Sequence, residues 1–163
     1  MKILSMKTTI FLGAMLSLLV CLMFTGCSNS ETNSTSRGLT DFAHIEEEYL
    51  ATIDSLDWPD GITLPDKLED EDTGASFQVG YGETRASYLW EYSWMKEWLD
   101  TYNTDPERAE KALEELEKAF DMPYMGIDRC DDATRNYLRE NIDKAKLGDP
   151  SGFTESIRAN YAN

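Results

Sequence analysis

From Asp41 onward the apolar residues recur every three or four positions, and that period predicts a chain built almost wholly of helices. Phe42, Ile45, Tyr49, Ile53 and Leu56 form one stripe, which predicts a first helix from Asp41 to about Leu56. Glu46, Glu47 and Glu48 fall mainly off that stripe and read as a solvated face. Trp58-Pro59 ends the helix, because a residue before proline avoids the helical region. Pro59, Gly61, Pro65, Gly74, Gly80 and Gly82 then punctuate an irregular segment over residues 59–82, in which Phe77-Gln78-Val79 has some strand character.

The segment from Glu83 to Tyr102 carries the broadest apolar face. Trp90, Trp94 and Trp98 fall at steps of four, with Tyr102 continuing the row; Tyr88, Tyr92, Met95 and Leu99 form an adjoining row. At 100° per residue the two rows cover an arc of about 200°, too wide for a surface helix. This is expected to be the central helix. Trp90, Trp94 and Trp98 have two readings, core aromatics or an exposed binding face, and core packing is the expected one, since nothing else in the helices fills the centre as well. Glu91 projects into the middle of that arc. A carboxylate there is desolvated, and its pKa rises unless a cation or several donors meet it. The expected partner is Arg129, Arg135 or Arg139.

Thr104 and Glu107 are spaced as a capping box, with Pro106 at the helix start. The helix that follows shows Ala109, Ala112, Leu113, Leu116, Ala119 and Phe120 on one face, with Glu107–Lys111 and Glu114–Lys118 pairs outside. A turn over residues 122–126 leads to a fourth main helix, about Asp131 to Leu147, ended by Gly148 and Pro150. Ser151 is placed to cap a short last helix carrying Phe153, Ile157 and Tyr161. The fold class is therefore all-α: a small, irregular bundle of four to five helices with one Gly/Pro/Asp-rich irregular segment, forming a single acidic domain over residues 40–163.

The N-terminus has a different pattern. Lys2 and Lys7 precede an apolar run from Ile10 to Phe24, and no acid appears before Glu31. Fifteen residues fall short of the roughly 20 that span a bilayer as a helix, and the arrangement is that of a secretory signal. The residues at its end, Phe24-Thr25-Gly26-Cys27, resemble the lipobox of bacterial lipoproteins, with Phe24 standing where an aliphatic residue is usual. That resemblance implies removal of residues 1–26, a diacylglyceryl thioether on Cys27, and a protein held at the outer face of the cell membrane. Two acyl chains suffice for stable attachment. Residues 27–39 then form the lipidated cysteine and a flexible polar tether, SNSETNSTSRG and Leu39. Residues 58–98 also resemble stretches of small uncharacterised exported proteins of Gram-positive bacteria, which implies no activity and lends no site.

Charge narrows the partners. Residues 1–26 hold two lysines and no acid, so what remains has 13 basic against 31 acidic residues and a net charge of −18. Nucleic acid is not an expected partner, because phosphates are repelled. Anionic headgroups repel the protein body too, leaving attachment to the lipid. A cationic or glycan partner in the cell envelope fits better. Cys21 leaves with the signal and Cys27 is acylated, so Cys130 stands alone and no internal disulfide is expected.

Catalytic patterns are sparse. There is one histidine, His44, and no Gly-x-Ser-x-Gly turn. Clustered zinc ligands and phosphate-cradling glycine loops are missing. Asp70, Asp72 and Gly74 are spaced as in a calcium loop, but the third acid is absent and position twelve is Tyr81. No metal or cofactor is expected. Glu91 is the candidate for acid–base chemistry, with Glu83 or His44 as neighbours, and glycan hydrolysis by paired carboxylates is the alternative function. The primary expectation is a non-enzymatic binding or interaction module.

Overall fold

The computed structural model describes residues 38–69 and 71–161. Cys27, the apolar run before it and Asp70 lie outside the described residues. The described chain is an all-α bundle of five helices with a two-stranded ribbon at one edge.

Helix α1 (Phe42–Ser55) is capped by Asp41, whose side chain accepts the His44 N–H at 3.1 Å. Its buried stripe is Ile45, Tyr49 and Ile53, as the periodicity predicts. After Ser55 the chain folds back: the Trp58 indole N–H donates to the Ile53 carbonyl at 2.9 Å. The ribbon pairs β1 (Leu39–Thr40) antiparallel with β2 (Phe77–Gln78), Leu39 opposite Gln78 and Thr40 opposite Phe77. Leu39, expected to close the tether, thus belongs to the folded domain.

The reading of Glu46–Glu48 as a solvated face holds only for Glu47. Glu46 is half-buried and accepts the Leu68 N–H at 3.3 Å, pinning the irregular segment where Leu68 enters the core. Glu48 accepts the N–H groups of Gly80 (2.7 Å) and Gly82 (3.2 Å). Its carboxylate therefore caps the next helix across 32 to 34 residues of sequence. Negative charge at a helix N-terminus also complements the helix dipole.

That next helix, α2 (Tyr81–Thr101), begins two residues before the expected Glu83. Gly80 sits at φ 88°, a left-handed conformation that favours glycine, and supplies no side-chain cap of its own. The helix is central: α1, α3 and α5 all pack on it. Trp90, Trp94 and Trp98 are 1–2 % exposed, so the Trp row is core. Two of its indole N–H groups, from Trp90 and Trp94, donate to the same Asp57 carbonyl at 2.8 and 3.2 Å.

Helix α3 (Pro106–Lys118) is capped by Asp105, which accepts the Arg108 N–H at 3.2 Å, one residue later than the expected Thr104. Arg108 binds Glu97 of α2 through two nitrogens, at 2.7 and 2.9 Å. Two 3₁₀ turns, Ala119–Asp121 and Pro123–Met125, lead towards α4 (Asp132–Lys146), capped by Asp131. Helix α5 (Ser151–Asn160) is started by Asp149, whose carboxylate accepts the Ser151 N–H at 2.9 Å, rather than by the Ser151 side chain. Gly152 lets α5 approach α4, since a Cβ there falls 2.6 Å from the Asn141 Oδ1. One core cluster gathers the Trp row with α3, α4 and Phe153; a second joins α1 with Leu68 and Ala86.

Candidate functional site

Glu91 lies on the buried side of α2, as its place in the apolar arc predicts, and is 7 % exposed. Its partner differs from the expected arginine. The Tyr124 hydroxyl, from the second 3₁₀ turn, donates to Glu91 Oε2 at 2.8 Å. The three arginines are committed elsewhere. Arg129 donates to Glu83 at 2.6 Å. Arg135 donates to the Met125 and Cys130 carbonyls and to Asp132. Arg139 lies over the Phe120 ring, 4.6 Å from its centroid.

Glu91 is consequently a buried carboxyl with one hydrogen-bond donor and no cation among the described residues. Burial pushes its pKa up from 4.5 to about 7, and the Tyr124 hydrogen bond only partly offsets this. The field acts back on the phenols. Tyr124 and Tyr161 are held far above the ordinary tyrosine range, by burial first and by the Glu91 charge second. Tyr88 is raised for the same two reasons.

The carboxyl lines a cavity of about 330 Å³ between α2, α4 and the end of α5. Its wall holds three phenols, Tyr88 from α2, Tyr137 from α4 and Tyr161 after α5, with Arg85, Met125 and Leu138 and the polar side chains of Thr134, Ser156 and Asn160. Ring contacts fix that wall. Tyr88 meets Tyr124 edge-on at 5.6 Å, and Tyr161 packs on Tyr92 at 5.0 Å. A second depression, of about 260 Å³, shares Arg85, Tyr88 and Tyr161 with the first. The Arg85 Nε is 3.4 Å from Glu71 Oε1, which pairs its charge. Glu91 is the one carboxyl among the described residues that line the larger cavity.

The other residues singled out by sequence do not join it. Trp90, Trp94 and Trp98 face the core, Glu83 is bound to Arg129, and His44 pairs with Glu48 at 3.2 Å on α1. In the acidic loop Asp72 accepts the Gly74 N–H at 2.9 Å; no group of three or more metal-binding side chains occurs among the described residues. Cys130 is a half-buried free thiol, 3.5 Å from the Met125 sulfur. Sequence reasoning missed Tyr124 as the partner of Glu91, and Tyr137 and Tyr161 as wall residues. Their positions gave no signal of a shared wall, since Tyr124 stands in a proline-led turn, Tyr137 inside α4 and Tyr161 just after α5.

No family model, curated protein or solved structure matches this chain.

Proposed function

We propose that this chain is an extracytoplasmic lipoprotein, anchored through Cys27, whose helical domain is a non-enzymatic binding module. The observation that carries the binding reading is the phenol-walled cavity with a buried, half-bonded carboxyl in its lining. A pocket that combines aromatic and apolar side chains with a few placed polar or charged groups is the ordinary form of a small-ligand site. Cleavage of a glycan asks more, because it needs a second carboxyl within roughly 10 Å, flanking the scissile bond.

The anchor reading rests on the lipobox-like Phe24-Thr25-Gly26-Cys27 at the end of a short apolar run. Among the described residues no helix is long and apolar enough to cross a membrane, and the net charge of −16, or −18 once residues 1–26 are removed, disfavours adhesion to anionic lipid. On this account attachment depends on the acyl chains. Cys27→Ala is expected to move the protein from the membrane to the soluble fraction while leaving the domain folded. Unchanged membrane fractionation of that variant contradicts the anchor. For the binding module, a panel of amines, sugars and amino acids is screened by thermal shift on the purified protein. The expected result is a stabilising ligand whose effect disappears in Tyr137→Ala and Tyr161→Ala. Stabilisation indifferent to both substitutions, or none by any class, removes the cavity as the site.

A further inference from the structure

We infer that the cavity takes a small organic ammonium ion, its charge against the free oxygen of Glu91 and its alkyl groups against Tyr88, Tyr137 and Tyr161. This inference rests on the binding reading and names its ligand class.

The argument begins with an imbalance. A buried carboxyl normally has a cation or several donors, yet Glu91 Oε2 has one phenol and Oε1 meets no donor among the described residues. Arg129, Arg135 and Arg139 cannot swing in without abandoning Glu83, two backbone carbonyls or the Phe120 ring. The one cation among the described residues of the lining, Arg85, is paired with Glu71 at 3.4 Å rather than with Glu91. The lining offers phenol rings instead, and tyrosine faces attract cations through their quadrupoles, most of all alkylammonium groups.

Competing ligand classes fit less well. Calcium takes six to eight oxygen ligands, and one carboxyl lines this cavity. An anion meets Glu91 and a net charge of −16, both repulsive. A neutral sugar can stack on the rings and donate a hydroxyl to Glu91, but it brings no charge to the carboxylate. At about 330 Å³ the space is at the small end of ligand pockets.

The inference carries a pH signature. The titratable or charged groups around Glu91 are Arg85 and Tyr88 on α2, Tyr124 on the 3₁₀ turn, Cys130 after it, Tyr137 on α4 and Tyr161 after α5. Tyr88, Tyr124, Tyr161 and Cys130 are all pushed upward, which keeps them neutral near pH 7. Arg85 is paired with Glu71. Glu91 is the group whose charge changes between pH 6 and 8, and a cation must displace its proton.

The test is calorimetric titration of the full chain in non-ionic detergent with choline chloride, n-propylammonium chloride and 3,3-dimethylbutan-1-ol, the uncharged isostere of choline. At least one ammonium is expected to bind about tenfold more tightly at pH 8 than at pH 6, following the ionised fraction of a group with pKa near 7. Near pH 6 binding should release close to one proton, read from buffers of different ionisation enthalpy. Glu91→Gln, which keeps the shape of the side chain, should weaken the ammonium at least tenfold. Phosphocholine tells the source: competition equal to choline points to an ammonium carried on a headgroup or polymer, and failure to compete points to a free amine. Equal binding of choline and its isostere, or ammonium binding without proton release, overturns the inference. A neutral sugar that binds through Tyr161 and ignores Glu91→Gln overturns it as well and leaves the binding module standing. Silence from every probe removes both.

Discussion

Gly82→Ala is expected to destabilise the domain by about 3 kcal/mol or more, at or above the upper end of ordinary overpacking. A Cβ at Gly82 falls 1.8 Å from the Ile45 carbonyl oxygen and 2.9 Å from the Tyr49 nitrogen. Both obstacles are backbone of α1, so no rotamer change relieves them; α1 and α2 must part. Separation also pulls the Gly82 N–H from the Glu48 carboxylate and loosens Ile45 and Ala86, each fully buried in the second core cluster. Gly74→Ala is the matched control. A Cβ there meets only Asp72 Oδ1, at an ordinary 3.4 Å, and the change should stay within about 0.5 kcal/mol as for a surface site. Urea unfolding of the two variants checks the pair. Equal midpoints would mean that α1 and α2 do not pack as closely as described.

The second large effect depends on pH. The Glu91 carboxyl moves from 4.5 to about 7 on folding, which at 1.36 kcal/mol per pKa unit is about 3 kcal/mol. The folded state holds this proton more tightly than the unfolded state. Its stabilising contribution is therefore complete below pH 4.5 and is lost as the pH rises to about 7, with no further change above. Glutamine cannot ionise, and its carbonyl still accepts from Tyr124. Glu91→Gln should then match the parent near pH 4.5 and exceed its stability by about 3 kcal/mol at pH 8. Urea midpoints at pH 4.5, 6 and 8 give the comparison. A constant difference across that range would show that Glu91 titrates as an exposed acid.

The fold was largely legible because helical period is written locally. The Tyr88/Tyr92 and Trp rows marked α2 as central through their breadth, and the burial of Glu91 followed from the same arc. Contacts that join distant segments were not legible. The bonds from Glu48 to Gly80 and Gly82 span more than thirty residues and satisfy backbone donors, which leave no trace in a polarity pattern. Arginine is the generic counter-charge for a buried acid, so Arg129, Arg135 and Arg139 were the natural expectation for Glu91. The structure instead uses them on Glu83, on turn carbonyls and on an aromatic ring, and sends a phenol from a proline-led turn. The helix caps failed by one or two residues for a simpler reason. Thr104 and Asp105, and likewise Asp149 and Ser151, are both competent caps, and the choice is made by loop geometry.

Glu91 is the point on which the fold, the cavity and the ligand class all turn, and its titration is the most direct check. Side-chain carboxyl ¹³C shifts are recorded on the purified, glutamate-labelled protein from pH 4 to 9, with Glu91→Gln supplying the assignment. A midpoint near 7 that falls on addition of an ammonium ligand is the expected result. A midpoint near 4.5, unmoved by any cation, would contradict the account, because it would place Glu91 in water or beside a cation that the site already holds.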